Sequence, residues 1–368
     1  MEEERLHSLT FRDRLATTYP WTIAPLIVSA PMRVMSGPRL AVAVSRAGGL
    51  GFIGPGLKPE STAADLETAK GLLSSSSSSP SAADSSPCDM PQRDGLLPVG
   101  VGFQLWNGDV EAAAAAVGRY RPASVWLFAP RHGQAEVDEW TRRLREASPG
   151  TDIWLQVGTL REALDATASP FPPDILVVQG AEAGGHGQAT DGVGFVTLLP
   201  EIADATRGSG IPLIAAGGVA DGRGVVAALG VGAAGVAMGT RFLASHEARI
   251  SKGYQDEVVR AVDGGANTVR THLYNHLRGT FGWPEQFSPR TIVNRSWAEH
   301  QAGTPFEEIK KRHDEAVVKG DAAWGPDGWT ATYAGANIGL IRSVAAAGDI
   351  VRGIRSEAGK IIQTLSGL

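Results

Sequence analysis

The feature that most constrains the fold of this chain is a series of short apolar runs that alternate with helical segments. The runs occupy residues 24–32, 50–53, 97–103, 124–128, 152–157, 175–178, 211–218 and 233–240. Helical patterns separate most of them, at residues 38–47, 59–73, 109–119, 135–147, 160–167 and 221–229. Short apolar strands that alternate with helices are typical of parallel α/β folds. Eight such runs therefore predict a (β/α)8 TIM barrel.

An open, doubly wound sheet is the alternative arrangement for the same alternation. Its dinucleotide-binding version requires a Gly-x-Gly-x-x-Gly turn after the first strand. The first run of this chain ends instead in Ala30-Pro-Met32. The number of strands and the missing glycine turn both favour the closed barrel.

Composition excludes several broad classes of protein. The chain has 368 residues, of which 43% are hydrophobic, and this is enough for a large core. Its 34 basic and 39 acidic residues give a net charge of −5, without a basic patch for nucleic acid. The acidic start lacks a secretory signal, and no run of about 18 apolar residues could span a bilayer. Cys88 is the only cysteine, so we expect no internal disulfide and a cytoplasmic protein.

The pattern changes after the eighth run. Residues 247–330 are rich in charges and aromatic side chains, with helical patterns at residues 249–263 and 304–319. We expect this segment to form a helical cap inserted into a barrel made of residues 1–246 and 331–368, with the last helix starting at residue 338. Packing within the cap is the expected role of four tryptophans, Trp283, Trp297, Trp324 and Trp329. The serine-rich residues 74–87 are predicted to be a disordered insertion.

The segment after the sixth run, residues 179–187, combines glycines with three polar side chains. It reads Gln-Gly-Ala-Glu-Ala-Gly-Gly-His-Gly. Glycine lets the backbone approach a ligand closely, while Gln179, Glu182 and His186 offer an amide, a carboxylate and an imidazole. Because the segment follows a strand, it lies at the carboxyl end of the barrel strands, where such folds carry their active sites. We therefore predict that this loop forms part of an active site.

Two further glycine-bearing loops follow the seventh and eighth runs. Residues 216–223 read Ala-Gly-Gly-Val-Ala-Asp-Gly-Arg, and residues 238–242 read Met-Gly-Thr-Arg-Phe. In TIM barrels these two loops frequently bind a phosphate, because free backbone amides and a helix start favour an anion. The pair of loops therefore predicts one phosphate-binding site.

These motifs together resemble the nitronate monooxygenases. The resemblance rests on Gln179-Gly-Ala-Glu-Ala-Gly-Gly-His186, on Ala215-Ala-Gly-Gly-Val-Ala-Asp-Gly-Arg223, and on Ala30-Pro-Met32, Ser45-Arg-Ala-Gly-Gly-Leu-Gly51 and Met238-Gly-Thr-Arg-Phe-Leu243. It extends from Ala24 to about residue 247 and resumes at residue 333. The glycine-rich histidine motif is shared with FMN-dependent enoyl reductases and NADH:quinone reductases, so it specifies the cofactor better than the reaction.

The resemblance implies an FMN-dependent oxidation of alkyl nitronates or nitroalkanes by O2 to carbonyl compounds and nitrite. It implies His186 as the catalytic residue, since an imidazole that titrates near neutral pH can take an α-proton or hold a nitronate by its charge. The partners are then the small-molecule substrate and O2, with a homodimer left open and no metal. The cofactor-binding residues that it implies are Ala30, Pro31, Met32, Gly102, Gln179, Gly184, Gly185, Gly217, Gly218, Met238, Gly239 and Thr240.

Departures from the family pattern leave the substrate open. Many members carry an asparagine where residues 101–103 read Val-Gly-Phe, a glutamine where Met238 stands, and another glutamine where Ala336 stands. One alternative is an FMN-dependent NAD(P)H reductase acting on a quinone, an enoyl thioester or a secondary-metabolite intermediate, and another is a flavin-binding barrel without catalysis. Glu182 could orient His186 or be a surface carboxylate.

Overall fold

The computed structural model describes residues 10–75, 90–189, 192–325 and 327–367. Most of the serine-rich segment that we predicted to be disordered, residues 76–87, lies outside these ranges, as does Cys88. No helix among the described residues is both long enough and apolar enough to cross a bilayer.

Eleven strands and fifteen α-helices are formed by the described residues. The strands are β1 Leu26–Ser29, β2 Leu50–Ile53, β3 Leu97–Gln104, β4 Pro122–Phe128, β5 Asp152–Val157, β6 Ile175–Gln179, β7 Gly185–Gln188, β8 Leu213–Ala216, β9 Gly235–Met238, β10 Thr268–Arg270 and β11 Phe287–Ile292. The helices are α1 Phe11–Thr18, α2 Pro38–Arg46, α3 Pro59–Ser74, α4 Val110–Tyr120, α5 Gln134–Ala147, α6 Leu160–Ala168, α7 Phe195–Thr206, α8 Gly222–Gly230, α9 Thr240–Leu243, α10 Lys252–Arg260, α11 Gly264–Asn267, α12 Leu273–Leu277, α13 Arg295–Gln301, α14 Phe306–Val317 and α15 Ala347–Ser366.

Eight parallel strands close into a barrel, which confirms the predicted fold and excludes the open sheet. Their order is β1, β2, β3, β4, β5, β6, β8 and β9. The ring closes where β1 pairs in parallel with β9, from Leu26 opposite Gly235 to Ser29 opposite Met238. The carboxyl ends of all eight strands therefore meet at one end of the barrel, as the site prediction requires.

Side chains that alternate along the strands fill the barrel interior. Phe52, Trp126 and Trp154 form an aromatic group there, with the rings of Phe52 and Trp154 5.1 Å apart. At the other end of the barrel from the strand carboxyl ends, Tyr19 follows α1, and its hydroxyl accepts a hydrogen bond from Trp154 Nε1 at 2.8 Å. The intervening strand residues face outward and pack against the helices, which places one apolar layer inside the sheet and one around it.

Polar side chains at three helix starts explain why the helices begin where they do. Asp109 and Asp221 precede α4 and α8 and accept hydrogen bonds from backbone amides of the first turn. Thr159 forms a capping box with Glu162 at the start of α6, as its position after a strand suggested.

The last helix begins later than the sequence pattern indicated. We expected it from residue 338, but residues Ile338–Leu340 form a short 3-10 turn and α15 starts only at Ala347. The carboxylate of Glu247 accepts a hydrogen bond from the amide of Ala347 at 2.9 Å. A residue 100 positions earlier thus stabilises the helix start, and no local pattern carries this information.

A second, smaller sheet lies beside the barrel and was not predicted. In it, β11 pairs antiparallel with both β10 and β7. His186 of β7 lies opposite Pro289 of β11. The segment at residues 247–330 is therefore joined by strand pairing to the glycine-rich loop. The insertion therefore contains strands as well as the predicted helices.

Candidate active site

One cavity of about 920 Å³ opens at the carboxyl ends of the barrel strands. All of the residues that the sequence assigned to the site line it: Ala30, Pro31, Met32, Gly102, Gln179, Gly184, Gly185, His186, Gly217, Gly218, Met238, Gly239 and Thr240. The insertion supplies further wall, including Leu277, Arg278 and Trp283. The fold therefore brings together side chains from the barrel loops and from the insertion.

The loops after β8 and β9 present backbone amides to this cavity. Gly217 and Gly218 follow β8 directly and have φ angles of +89° and +76°, which favour glycine. Among the described residues, no backbone carbonyl accepts a hydrogen bond from the amides of Gly217, Gly218 or Gly239. Buried or half-buried amides without partners are expected to find an acceptor, and a phosphate is a suitable one. The residues thus fit a phosphate-bearing cofactor.

A buried amide that the sequence analysis missed also faces the cavity. Gln156 lies near the end of β5, and its Oε1 accepts a hydrogen bond from Trp126 Nε1 at 3.0 Å. Its Nε2 is buried and has no hydrogen-bond partner among the described residues. A bound heteroaromatic ring with acceptor atoms would satisfy this donor. The sequence feature that could have identified Gln156 is its place as the one polar residue in the otherwise apolar run at residues 153–157.

Two arginines of the insertion hold the glycine-rich loop in place. The guanidinium of Arg270 donates to the carbonyls of Ala183 at 3.0 Å and Ala181 at 3.2 Å. Arg290 donates to the carbonyl of Ala181 at 3.1 Å. Burial and the nearby Arg290 lower the pKa of Arg270 to about 10, so that it remains charged at neutral pH. Arg270 and Arg290, 89 and 109 positions from Ala181 in sequence, therefore fix the backbone that leads to His186.

His186 is held by its backbone, its ring edge and its ring face. Gln179 Nε2 donates to its carbonyl at 3.3 Å, and Asn275 Nδ2 lies 3.0 Å from its Nε2. The indole ring of Trp283 stacks on the imidazole, with ring centroids 3.6 Å apart and an angle of 8° between the planes. We expected Trp283 to pack inside the cap, but it forms cavity wall against His186 instead.

Glu182 does not orient His186. Its carboxylate accepts a hydrogen bond from the amide of Phe195 at 3.3 Å, at the start of α7. The partner of the His186 ring is Asn275, which the sequence analysis did not identify. Trp297 and Trp329 pack against an apolar cluster around Leu273, as expected. Trp324 packs against a second apolar cluster and also lines the cavity.

The ionisation expected of His186 is wrong. Its pKa is lowered to about 3, first because burial disfavours the charged ring, and then because His272 and Arg270 add positive charge nearby. His186 is therefore neutral at physiological pH and holds no anion by its own charge. Arg33 and Arg278 supply positive charge on the cavity wall, whereas the lining cations Arg249 and Lys310 are paired with Asp65 and Asp314. Burial and the nearby Arg278 lower the pKa of Arg33.

This burial predicts an acid-sensitive contribution to stability. As the pH falls from 6.5 towards 3, His186 takes up a proton in the unfolded chain but resists it in the folded one, so the free energy of unfolding decreases. Between pH 7 and pH 5 we expect the wild type to lose about 2 kcal/mol relative to His186→Asn. Denaturant unfolding at both pH values measures the difference. His300→Asn, at an exposed histidine, is the control. The prediction would be contradicted if the free energies of unfolding of the wild type and His186→Asn differed by the same amount at pH 7 and at pH 5.

Comparison with known proteins agrees with the sequence motifs. The sequence profile of the nitronate monooxygenase family matches residues 144–357. A protein named nitronate monooxygenase npaC from Metarhizium robertsii is 61% identical over 354 residues, which cover 96% of each chain. A nitronate monooxygenase from Neurospora crassa is 34% identical over 380 residues, covering 99% of this chain and 96% of its own.

A solved structure adds support for the fold alone. FabK from Thermotoga maritima superposes with a TM-score of 0.70 at 24% identity, covering 96% of this chain and 98% of its own. The fold, the glycine-rich histidine loop and the two full-length relatives point to the same assignment. The chain belongs to the nitronate monooxygenase family, a family of flavin-dependent oxidoreductases.

Proposed function

We propose that the protein binds FMN in the 920 Å³ cavity and uses it to oxidise alkyl nitronates, or nitroalkanes, with O2 to carbonyl compounds and nitrite. The observation that carries this proposal is the pair of glycine loops whose unpartnered amides face the same cavity as His186. We also propose that residues 247–330 act as a cap, because Leu277, Arg278 and Trp283 line the same cavity as the barrel loops.

The two glycine loops offer one phosphate site, which favours FMN over a dinucleotide. In this proposal the amides of Gly217, Gly218, Gly239 and Thr240 hold the phosphate. A hydrogen bond to the side chain of Thr240 holds the loop after β9 in place. There, the hydroxyl of Thr240 accepts a hydrogen bond from the amide of Gly335 at 3.0 Å.

Amide side chains and the first loop complete the proposed flavin site. Gln156 and Gln179 are donors on the cavity wall, and Gln156 has an unpartnered amide group among the described residues. Residues 30–32, Gly184 and Gly185 also line the cavity. The flavin, when bound, supplies the redox chemistry by accepting electrons from the substrate and passing them to O2.

The charges of the site favour an anionic substrate. Arg33 and Arg278 attract a nitronate, which is the deprotonated form of a nitroalkane. His186 has a pKa of about 3, so it is a weak base and removes the α-proton of a neutral nitroalkane poorly. The preformed nitronate should therefore be the better substrate of the two.

Flavin identification and product analysis test the proposal together. Heating the purified protein should release FMN, and the flavin-loaded enzyme should form nitrite from a simple alkyl nitronate only when O2 is present. Release of FAD, or no flavin uptake on reconstitution, would overturn the cofactor assignment. A flavin-loaded enzyme that forms no nitrite would overturn the reaction.

A further inference from the structure

We propose that Arg270 and Arg290 place a net positive charge behind the glycine-rich loop, residues 179–187, and thereby raise the reduction potential of the bound flavin. The inference deepens the proposed function and rests on it for the cofactor alone. It assigns to two residues of the insertion an effect on the electron affinity of that cofactor. Neither arginine lines the cavity, so both act through the loop, as positioning residues.

The hydrogen bonds of both guanidinium groups end on neutral acceptors. Arg270 donates to three carbonyls of the loop, including that of Gly185 at 3.3 Å, and to one carbonyl of β11. Arg290 donates to the carbonyl of Ala181 and, at 3.1 Å, to the hydroxyl of Thr268. Among the described residues, neither arginine forms an ion pair with a carboxylate.

The balance of charge behind the loop is therefore positive. Glu182 is the acidic residue whose charge acts on the pair, and it acts on Arg290 alone. Two guanidinium groups and one carboxylate leave 2 − 1 = +1. Both arginines are half-buried, and a neutral carbonyl offsets the desolvation of a charge only in part, because it brings no opposite charge. An anionic ligand on the other side of the loop would supply that opposite charge.

One peptide layer separates Arg270 from the cavity. Ala183 and Gly185, whose carbonyls accept hydrogen bonds from Arg270, both line the cavity. The N–H group of a trans peptide points away from its carbonyl, so the amide of Gly184 is directed away from the guanidinium. In the described part of the chain, no backbone carbonyl accepts a hydrogen bond from this amide. The charge of Arg270 and the dipole of this peptide therefore add on the side of the loop away from the arginine.

A positive potential at the cavity wall favours the reduced state of a flavin over its oxidised state. The oxidised ring system is neutral, and uptake of two electrons and one proton leaves it with one negative charge. In the proposed reaction the electrons come from the nitronate and pass on to O2. Because only the reduced ring carries the charge, a positive potential binds the reduced form more tightly and raises the midpoint potential.

Variants that remove one charge at a time test the inference. In Arg270→Gln the side-chain amide keeps a donor for a loop carbonyl, while the positive charge is lost. The affinity for reduced flavin, relative to oxidised flavin, should fall about tenfold, which lowers the midpoint potential of the two-electron couple by about 30 mV. In Glu182→Gln the side-chain oxygen can still accept from the amide of Phe195, and loss of the negative charge should raise the potential by a similar amount.

Two control variants separate charge from geometry. Arg270→Lys keeps the charge but loses the planar fork that holds the loop carbonyls, and its potential should stay close to that of the wild type. Arg207→Gln removes an exposed positive charge directly after α7, and it should leave the potential unchanged. Anaerobic redox titration against a reference dye measures each midpoint potential without any nitronate.

Two outcomes would overturn the inference. Equal shifts in Arg270→Gln and Arg270→Lys would mean that Arg270 acts through loop geometry alone. The other is a potential in Glu182→Gln that stays unchanged or falls. If Arg270→Gln does not fold, Arg290→Gln takes its place with the same expected fall.

Failure of the proposed function is distinguishable from failure of this inference. A flavin-loaded wild type that forms no nitrite would overturn the proposed reaction, while the order of the midpoint potentials would still decide the role of the two arginines. A wild type that takes up no flavin would overturn both.

Discussion

Replacing His186 with phenylalanine is expected to lower kcat/KM for an alkyl nitronate by roughly 10- to 100-fold, the worth of a hydrogen bond to a charged group. The loss should appear mostly in KM, because a hydrogen bond made equally to the bound substrate and to the transition state contributes to binding and leaves kcat unchanged. Phenylalanine keeps a ring against Trp283, and the proposed phosphate contacts come from other loops, so flavin content should stay near that of the wild type.

The comparison with a neutral nitroalkane makes this prediction specific. A neutral substrate forms a weaker hydrogen bond with the N–H group of the imidazole, so its turnover should fall less than that of the nitronate. Loss of a general base would give the reverse, a fall of about 10²- to 10⁴-fold confined to the nitroalkane. His276→Phe, at an exposed histidine outside the cavity lining, is the control for the change of side chain. A selective loss of nitroalkane turnover in His186→Phe would contradict the account.

Gly217→Ala is expected to weaken FMN binding by roughly 10- to 100-fold, since a strained backbone costs about 1–3 kcal/mol. The φ angle of Gly217 is +89°, and an added Cβ would lie 2.9 Å from the carbonyl oxygen of Gly180. The backbone must shift to relieve the unfavourable φ angle and the close contact with Gly180. This shift moves the amides that are proposed to hold the phosphate. Fluorescence titration of flavin-free protein with FMN measures the dissociation constant.

A matched glycine shows whether the effect belongs to the site. Gly230 ends α8, and a Cβ added there would meet no atom within 4 Å. Gly230→Ala should therefore bind FMN as the wild type does and be at least as stable. Wild-type affinity in Gly217→Ala would mean that the loop after β8 does not carry the phosphate.

The barrel was predictable because its signal is local. Each barrel strand is a short apolar run bounded by glycine or polar residues, and a strand that is buried on both faces reads as apolar at every position. The glycine loops at the strand ends were predictable for the same reason. Once the fold is a barrel, residues 216–218 and 238–240 must lie beside each other, and the cavity lining bears this out.

The second sheet was not predictable from local pattern. β7 reads Gly-His-Gly-Gln, which has neither apolar alternation nor β-branched residues. It forms a strand because β11, about 100 residues later in the chain, pairs with it. Such a pairing is a tertiary contact, and a single sequence records no trace of it.

The residues that control His186 were missed for a related reason. Asn275 is 89 positions from His186 in sequence and lies on α12, a helix of five residues without a motif. The lowered pKa likewise depends on burial and on charges from the insertion. An isolated histidine in a glycine-rich loop suggests an ordinary imidazole, and only the packed structure replaces that expectation with a neutral ring.

Anaerobic mixing of the flavin-loaded enzyme with each electron donor in turn tests the central claim most directly. A nitronate should bleach the flavin absorbance rapidly, whereas NADH or NADPH at the same concentration should leave it almost unchanged. Admission of O2 to the nitronate-reduced enzyme should then restore the spectrum and release nitrite. Rapid bleaching by NADH or NADPH with none by the nitronate would contradict the account and assign the protein to the reductases that share its glycine-rich motif.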